Sequence, residues 1–148
     1  MTDQRLILAF DFGTRRIGVA VGNALLASAR QLEPLPARDG IPDWNVITRL
    51  VEEWQPDLFV VGLPLNMDGS ESEMSTRARK FGKRLFGRYG KPCEMFDERG
   101  STREAKAIAH EKGLLRARKS YRDDGVDGIA AVLILEGWFA HQEGLPPR

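Results

Sequence analysis

Three groups of carboxylates in this 148-residue chain are of the residue types that hydrolytic chemistry requires. The first is Asp11, which closes the apolar run Leu6-Ile-Leu-Ala-Phe10. An ionised carboxylate there is costly unless it is paired, hydrogen-bonded or bound to a metal. Its purely structural role would be a turn aspartate bonding the amides of Gly13 and Thr14. The second group is Asp97-Glu98-Arg99, at the end of the short run Cys93–Phe96. Successive strand residues face opposite sides, so only one of Asp97 and Glu98 faces any given site. The third is Asp123-Asp124 with Asp127, just before the apolar stretch Gly128–Leu135. Asp124 and Asp127 lie three apart and share a helix face, although acids at a helix start also serve as caps. Carboxylates held together raise one another's pKa unless a divalent cation neutralises them. Oxygen-only donors favour Mg²⁺ or Mn²⁺ over zinc. Such ions activate water and stabilise the leaving oxygen of a phosphodiester, so the chemistry indicated is hydrolytic phosphoryl transfer.

The elements that must position these acids follow from hydrophobic patterning. Leu6–Phe10 reads as a strand buried on both faces, and Ile17–Val21 as its antiparallel neighbour across a short turn. A third strand is expected within Leu25–Leu32, ending before Pro34 and Pro36. Asp43 can cap a helix to Trp54, with Trp44, Ile47, Leu50, Val51 and Trp54 on one face. Leu58–Val61 reads as a buried strand, Gly62–Gly69 as a loop, and Ser72–Gly87 as a helix burying Met74, Ala78, Phe81 and Leu85. A last strand at Cys93–Phe96 precedes helices near Thr102–Lys112 and Val126–His141. The expectation is an α/β domain with a mixed sheet, spanning 1–142 as a single unit with a loose tail at 143–148. Leu115–Gly125 reads as the mobile loop. Asp11 and Asp97/Glu98 both fall at strand C-terminal ends, where open α/β sheets usually place ligands.

Charge supplies a substrate class. The chain holds 22 basic and 21 acidic residues, yet residues 77–122 hold 15 basic and only 5 acidic. Arg77, Lys80, Arg84 and Arg88 recur at helical spacing opposite the Phe81/Leu85 face, as a solvated cationic stripe. Arg99, Arg103, Arg118, Lys119 and Arg122 add to it, and Arg16 stands near Asp11. Such an excess favours a polyanionic partner, a nucleic acid. Gly62–Asn66 with Gly69 and Ser70 is either a phosphate-binding loop before a helix N-terminus or a plain turn.

Other classes are excluded. The lone Cys93 cannot form an internal disulfide, and no Cys/His spacing suits zinc. Ile129–Leu135 is too short to span a bilayer, so no membrane association is expected, and the cytoplasm is the expected compartment. Gly13 and Gly18 fit neither a Walker A loop nor a dinucleotide fingerprint. His110 and His141 read as surface or packing residues, and the three tryptophans as core.

Four blocks occur in order: Asp11-Phe-Gly-Thr-Arg-Arg-Ile-Gly-Val-Ala-Val-Gly22, Gly62-Leu-Pro-Leu-Asn-Met-Asp-Gly-Ser70, Asp97-Glu-Arg99 and Val126-Asp-Gly-Ile-Ala-Ala-Val-Leu-Ile-Leu135. Together they resemble the YqgF/RuvX family, Holliday-junction-resolvase-like proteins described as nucleases of precursor 16S ribosomal RNA. The resemblance implies an RNase H-like fold, a five-stranded mixed sheet flanked by helices. It also implies a Mg²⁺- or Mn²⁺-dependent nuclease centre with Asp11, Glu98 and Asp127 as metal ligands. Asp97 is the alternative to Glu98, and Asp124 an additional acid. Structured RNA is the implied substrate, with branched DNA as the alternative, and pre-ribosomal particles are implied partners. Two departures stand out: Gly62 occupies a place where resolvases carry an acid, and Gly100 one where an apolar residue is expected. Two further readings compete. A non-catalytic nucleic-acid-binding module would need no metal. The Asp-x-Gly-Thr loop also resembles the phosphate loop of actin-like ATPases, whose two domains 148 residues cannot supply.

Overall fold

The computed structural model describes residues 5–26, 28–66, 68–97 and 122–144, with backbone alone for 122–128 and 142–144. Strands β1 (Leu6–Asp11), β2 (Arg16–Asn23), β3 (Ser28–Arg38) and β4 (Ile41–Pro42) form an antiparallel meander. Helix α1 (Trp44–Trp54) leads to β5 (Leu58–Leu63), α2 (Glu73–Tyr89) to β6 (Cys93–Asp97), and α3 (Arg122–Gly144) closes the described chain. The sheet order is β4-β3-β2-β1-β5-β6, with β5 parallel to β1 and β6 parallel to β5. Six strands are present where five were expected.

The extra strand and the length of β3 have one local origin. Asp39 and Gly40 have φ of 53° and 80°, the positive pair that a two-residue hairpin turn requires. The turn folds β4 back on β3 through the pairs Ala37↔Pro42 and Arg38↔Ile41. β3 therefore continues past both prolines instead of stopping before them. The β2–β3 register shifts between Ile17↔Leu35 and Val19↔Leu32, so a bulge takes up Pro34.

The helix ends follow their caps. Asp43 accepts from the Asn45 amide and starts α1, while Ser72 and Ser75 form a reciprocal capping box at α2. Buried Ser75 also donates to the Pro64 carbonyl, pinning α2 to the end of β5. α3 begins at Arg122, four residues earlier than its apolar pattern suggests, so 122–125 are helix and not mobile loop. Its far end reaches Gly144, two residues into the expected tail. The expected helix at 102–112 lies outside the described residues.

Two apolar layers sandwich the sheet. Leu8, Phe10, Phe59 and Val61 pack against Ile47 of α1 and Ala78, Phe81 and Leu85 of α2. Ile7, Ala9, Leu58 and Val60 pack against Ala131, Ile134, Leu135 and Trp138 of α3. Phe10 and Phe59 are fully buried, and burying side chains of this size contributes about 1.5–3 kcal/mol each. Among the described residues, no helix is long and apolar enough to cross a membrane.

Candidate active site

Strand alternation decides which acids share a face. Ile7 and Ala9 face α3, while Leu8 and Phe10 face α1 and α2. Asp11, half-buried at the end of β1, therefore stands on the α3 face. It lies opposite Gly18 of β2. Ile17 and Val19 face α1 and α2, so Arg16, two residues before Gly18, stands on Asp11's face at the same edge. The connection is tight. A Cβ on Gly13 would collide with the Arg16 carbonyl oxygen, so only glycine allows β2 to start so soon after Asp11.

Asp97 reaches the same edge on the other face. Parallel pairing carries β1, β5 and β6 to a common end, with Leu63 opposite Asp97. Cys93 and Met95 pack toward α1 and α2, whereas Phe96 packs toward α3. By alternation Asp97 belongs to the α2 side, across the sheet from Asp11. Gly62 pairs with Phe96 on the α3 face, on the strand between β1 and β6. Asp11, Arg16 and Asp97 each have interaction partners within the fold. Glu98, Arg99, Arg103, Arg118 and Lys119 lie outside the described residues.

Helix α3 covers the face of the sheet on which Asp11 stands. Cβ positions on Gly22 would fall 2.6 Å from Leu135 Cδ2 and 3.2 Å from Phe139, and Gly22 pairs with Ile7 at the start of β1. The C-terminal half of α3 thus lies over the beginning of β1. From Ile7 to Asp11 the strand advances about 13 Å. From residue 135 back to 127 the helix advances about 12 Å. The two spans are of similar length, and position 127 lies in helical phase with sheet-facing Ala131, Ile134 and Trp138. Positions 124 and 122 lie three and five residues before it on the same helix. The side chains of Arg122, Asp124 and Asp127 are not described, and among the described residues no three His, Cys, Asp or Glu side chains cluster as a metal site.

The helix α2 stripe is less free than its spacing suggests. Arg77 is bound to Asp39 at 3.1 Å and to Glu73 at 3.4 Å. The Asp39 carboxylate, by hydrogen bond and charge, holds its guanidinium still more firmly protonated. Arg88 stacks over the Trp44 ring with its guanidinium carbon 4.3 Å from the ring centre, a cation–π contact. Lys80 and Arg84 are exposed and have no ion pair among the described residues. Between β5 and α2, residues 64–66 and 68–72 form a turn. Its Asn66, Gly69 and Ser70 amides donate to the Ser70 carbonyl, the Asn66 carbonyl and Asp68 respectively. Ser72 and Ser75 amides are taken by the capping box.

One support escaped the sequence reading. Trp138 Nε1 donates to Glu94 Oε1 at 2.8 Å and so ties α3 to β6. The Asp39-Gly40 hairpin also went unread, although Asp-Gly is a strong two-residue turn signal.

This layered α/β architecture, a mixed sheet between helices with Asp11 at its carboxyl edge, is that of an RNase H-like domain. The chain resembles "T. thermophilus RuvC in complex with Holliday junction substrate" with a TM-score of 0.53, at 14% identity over 95% of this chain and 96% of that one. Residues 5–141 match the family described as RuvX, Holliday junction resolvase. The chain belongs to the RuvX family and is a nuclease, a hydrolase of phosphodiester bonds. A protein of Chromohalobacter salexigens named "Putative pre-16S rRNA nuclease" is 74% identical over 137 residues, covering 93% of this chain and 90% of that protein. A protein of the same name in Saccharophagus degradans is 54% identical over 146 residues, covering 99% of this chain and all of its own length, 100%.

Proposed function

We propose that this chain is a divalent-metal-dependent nuclease of precursor 16S ribosomal RNA, trimming its 5′ end on pre-ribosomal particles in the cytoplasm, with residues 1–142 as one domain. The name shared by the bacterial relatives supports the substrate. One observation supports the site: Asp11 stands on the α3 face of the carboxyl edge, and position 127 is in helical phase with the face of α3 that packs on that side of the sheet. Alternation through β6 gives Asp97 to the other face, and Glu98 is assigned as the second carboxylate.

Asp11, Glu98 and Asp127 are an all-oxygen donor set, which fits Mg²⁺ or Mn²⁺. When bound there, such an ion supplies Lewis-acid activation of water and charge neutralisation at the leaving oxygen. Arg16, on Asp11's face, orients the scissile phosphate, and Arg99, Arg103, Arg118, Lys119 and Arg122 add phosphate contacts from the basic segment. Asp124, one turn before Asp127, is an additional acid.

The family's description as a Holliday junction resolvase favours a second reading, cleavage of branched DNA by the same acids. Both readings are tested by offering labelled precursor 16S RNA and a four-way DNA junction to the wild type and to Asp11→Asn, with Mn²⁺ or Mg²⁺. RNA cut by the wild type and spared by the folded variant is the expected result. Equal cutting by both proteins rejects the site, and cutting of the junction alone rejects the RNA reading.

A further inference from the structure

A cleft on the α2 side of the sheet lies one residue from Asp11. Phe12 and Phe81 floor it, the β3–β4 hairpin tip (Gly40, Ile41) forms one wall, and Lys80 and Arg84 form the other. The hairpin tip is anchored to the turn that follows Asp11, because Gly40 donates to the Thr14 carbonyl at 2.8 Å and Ala37 to the Arg15 carbonyl at 2.8 Å. Arg77 bridges Asp39 of the tip to α2 and so holds the two walls together. Gly40 keeps the cleft open: a Cβ there would stand 3.0 Å from the Phe12 ring and 3.7 Å from Arg77 Nη1.

The chemistry of the walls names an occupant. With Arg77 bound to acids, the cations available to an incoming group are Lys80 and Arg84, both exposed. Facing them, Ile41 exposes 57% of its surface. The cavity, of about 180 Å³, is smaller than the 300–1,000 Å³ of sites that enclose a free small ligand. Two cations beside an exposed aliphatic tip suit a backbone phosphate with an unstacked nucleoside next to it, and a duplex would hide that apolar partner.

We infer that the cleft between the β3–β4 hairpin tip and α2 binds the single-stranded flank of the nucleic-acid substrate, with Lys80 and Arg84 on a phosphate and Ile41 against its nucleoside. The inference rests on the nuclease reading of the Asp11 edge and extends the strand's path across it.

The test measures binding, separately from cleavage. A short fluorescein-labelled single-stranded RNA is titrated by anisotropy at several salt concentrations, in chelator. Lys80→Ala/Arg84→Ala is compared with the wild type and with Lys83→Ala/Lys91→Ala, a control of equal charge loss. Losing two phosphate contacts should lower the slope of log K against log salt by about 1.4, at roughly 0.7 per contact for single strands. Ile41→Ala should weaken binding with the slope unchanged, and a duplex of the same sequence should bind the wild type less tightly. Inorganic phosphate should fail to compete at concentrations where unlabelled RNA does, which separates strand binding from capture of a free anion. Equal slopes for the two double variants, or equal affinity for duplex and single strand, overturn the inference. Asp11→Asn is run alongside: unchanged cleavage by it rejects the catalytic reading, while the slopes still decide the cleft.

Discussion

Trp138 of α3 and Glu94 of β6 meet through a 2.8 Å hydrogen bond on the same face of the sheet as Asp11. The bond joins the helix bearing Asp127 to the strand that leads into Glu98. Trp138→Phe keeps most of the buried ring and removes the donor. Glu94 is exposed, so water can replace the lost partner at about 1 kcal/mol, and the space left by the smaller buried ring adds to that cost. Thermal melts check this. A loss of cleavage larger than the fall in folded fraction would show that the bond also sets the distance between the two acids.

Gly22 sets how closely α3 approaches the sheet. A Cβ would lie 2.6 Å from both Leu135 Cδ2 and the Ser28 carbonyl oxygen, one of which is backbone and cannot swing away. Gly22→Ala should therefore cost about 1–3 kcal/mol, the usual penalty of overpacking. Denaturant titration would measure it. A neutral substitution would mean that α3 has room to lift from the sheet.

Much of this arrangement is legible in residue order. Continuous apolar runs marked β1 and β5 because both strands are covered on two faces, and Asp43 and Ser72 marked helix starts through their own hydrogen bonds. β3 was cut short because proline usually ends a strand, whereas here a bulge and an outer position accommodate Pro34 and Pro36. The even spacing of Arg77, Lys80, Arg84 and Arg88 put them on one strip, but that strip flanks Phe81, which lines the same cleft as Arg77, Lys80 and Arg84, and does not lie opposite it. Nor could the spacing show that Asp39 and Trp44, distant in sequence, engage two of the four. Pairings across the fold leave no periodic trace.

The metal reading predicts a separation of binding from cutting. Chelation should abolish cleavage and leave single-stranded RNA binding intact, since Lys80 and Arg84 act on phosphate without a cation. Mn²⁺ or Mg²⁺ should restore cutting. Ca²⁺, which tolerates irregular coordination at longer distances, should restore it poorly. Full cleavage in excess chelator would remove the carboxylate centre from the mechanism.

Cys93 offers a test of packing between β6 and α2. Burial, with a smaller contribution from the Glu94 carboxylate, pushes its thiol up to about 12 from an ordinary value of 9.0. The native state thus holds its proton where the unfolded chain has lost it, so stability falls as pH rises from about 9 to 12. Below pH 9 both states are protonated and the cysteine contributes no pH dependence. Melts of wild type and Cys93→Ser across this window should converge as pH rises, because only the wild type carries the thiol's proton linkage. At pH 8, iodoacetamide should modify native Cys93 far more slowly than the urea-unfolded thiol, because the thiolate is the nucleophile. Equal rates would mean that Gly82 and Met95, whose atoms crowd this side of β6, do not seal the thiol from solvent.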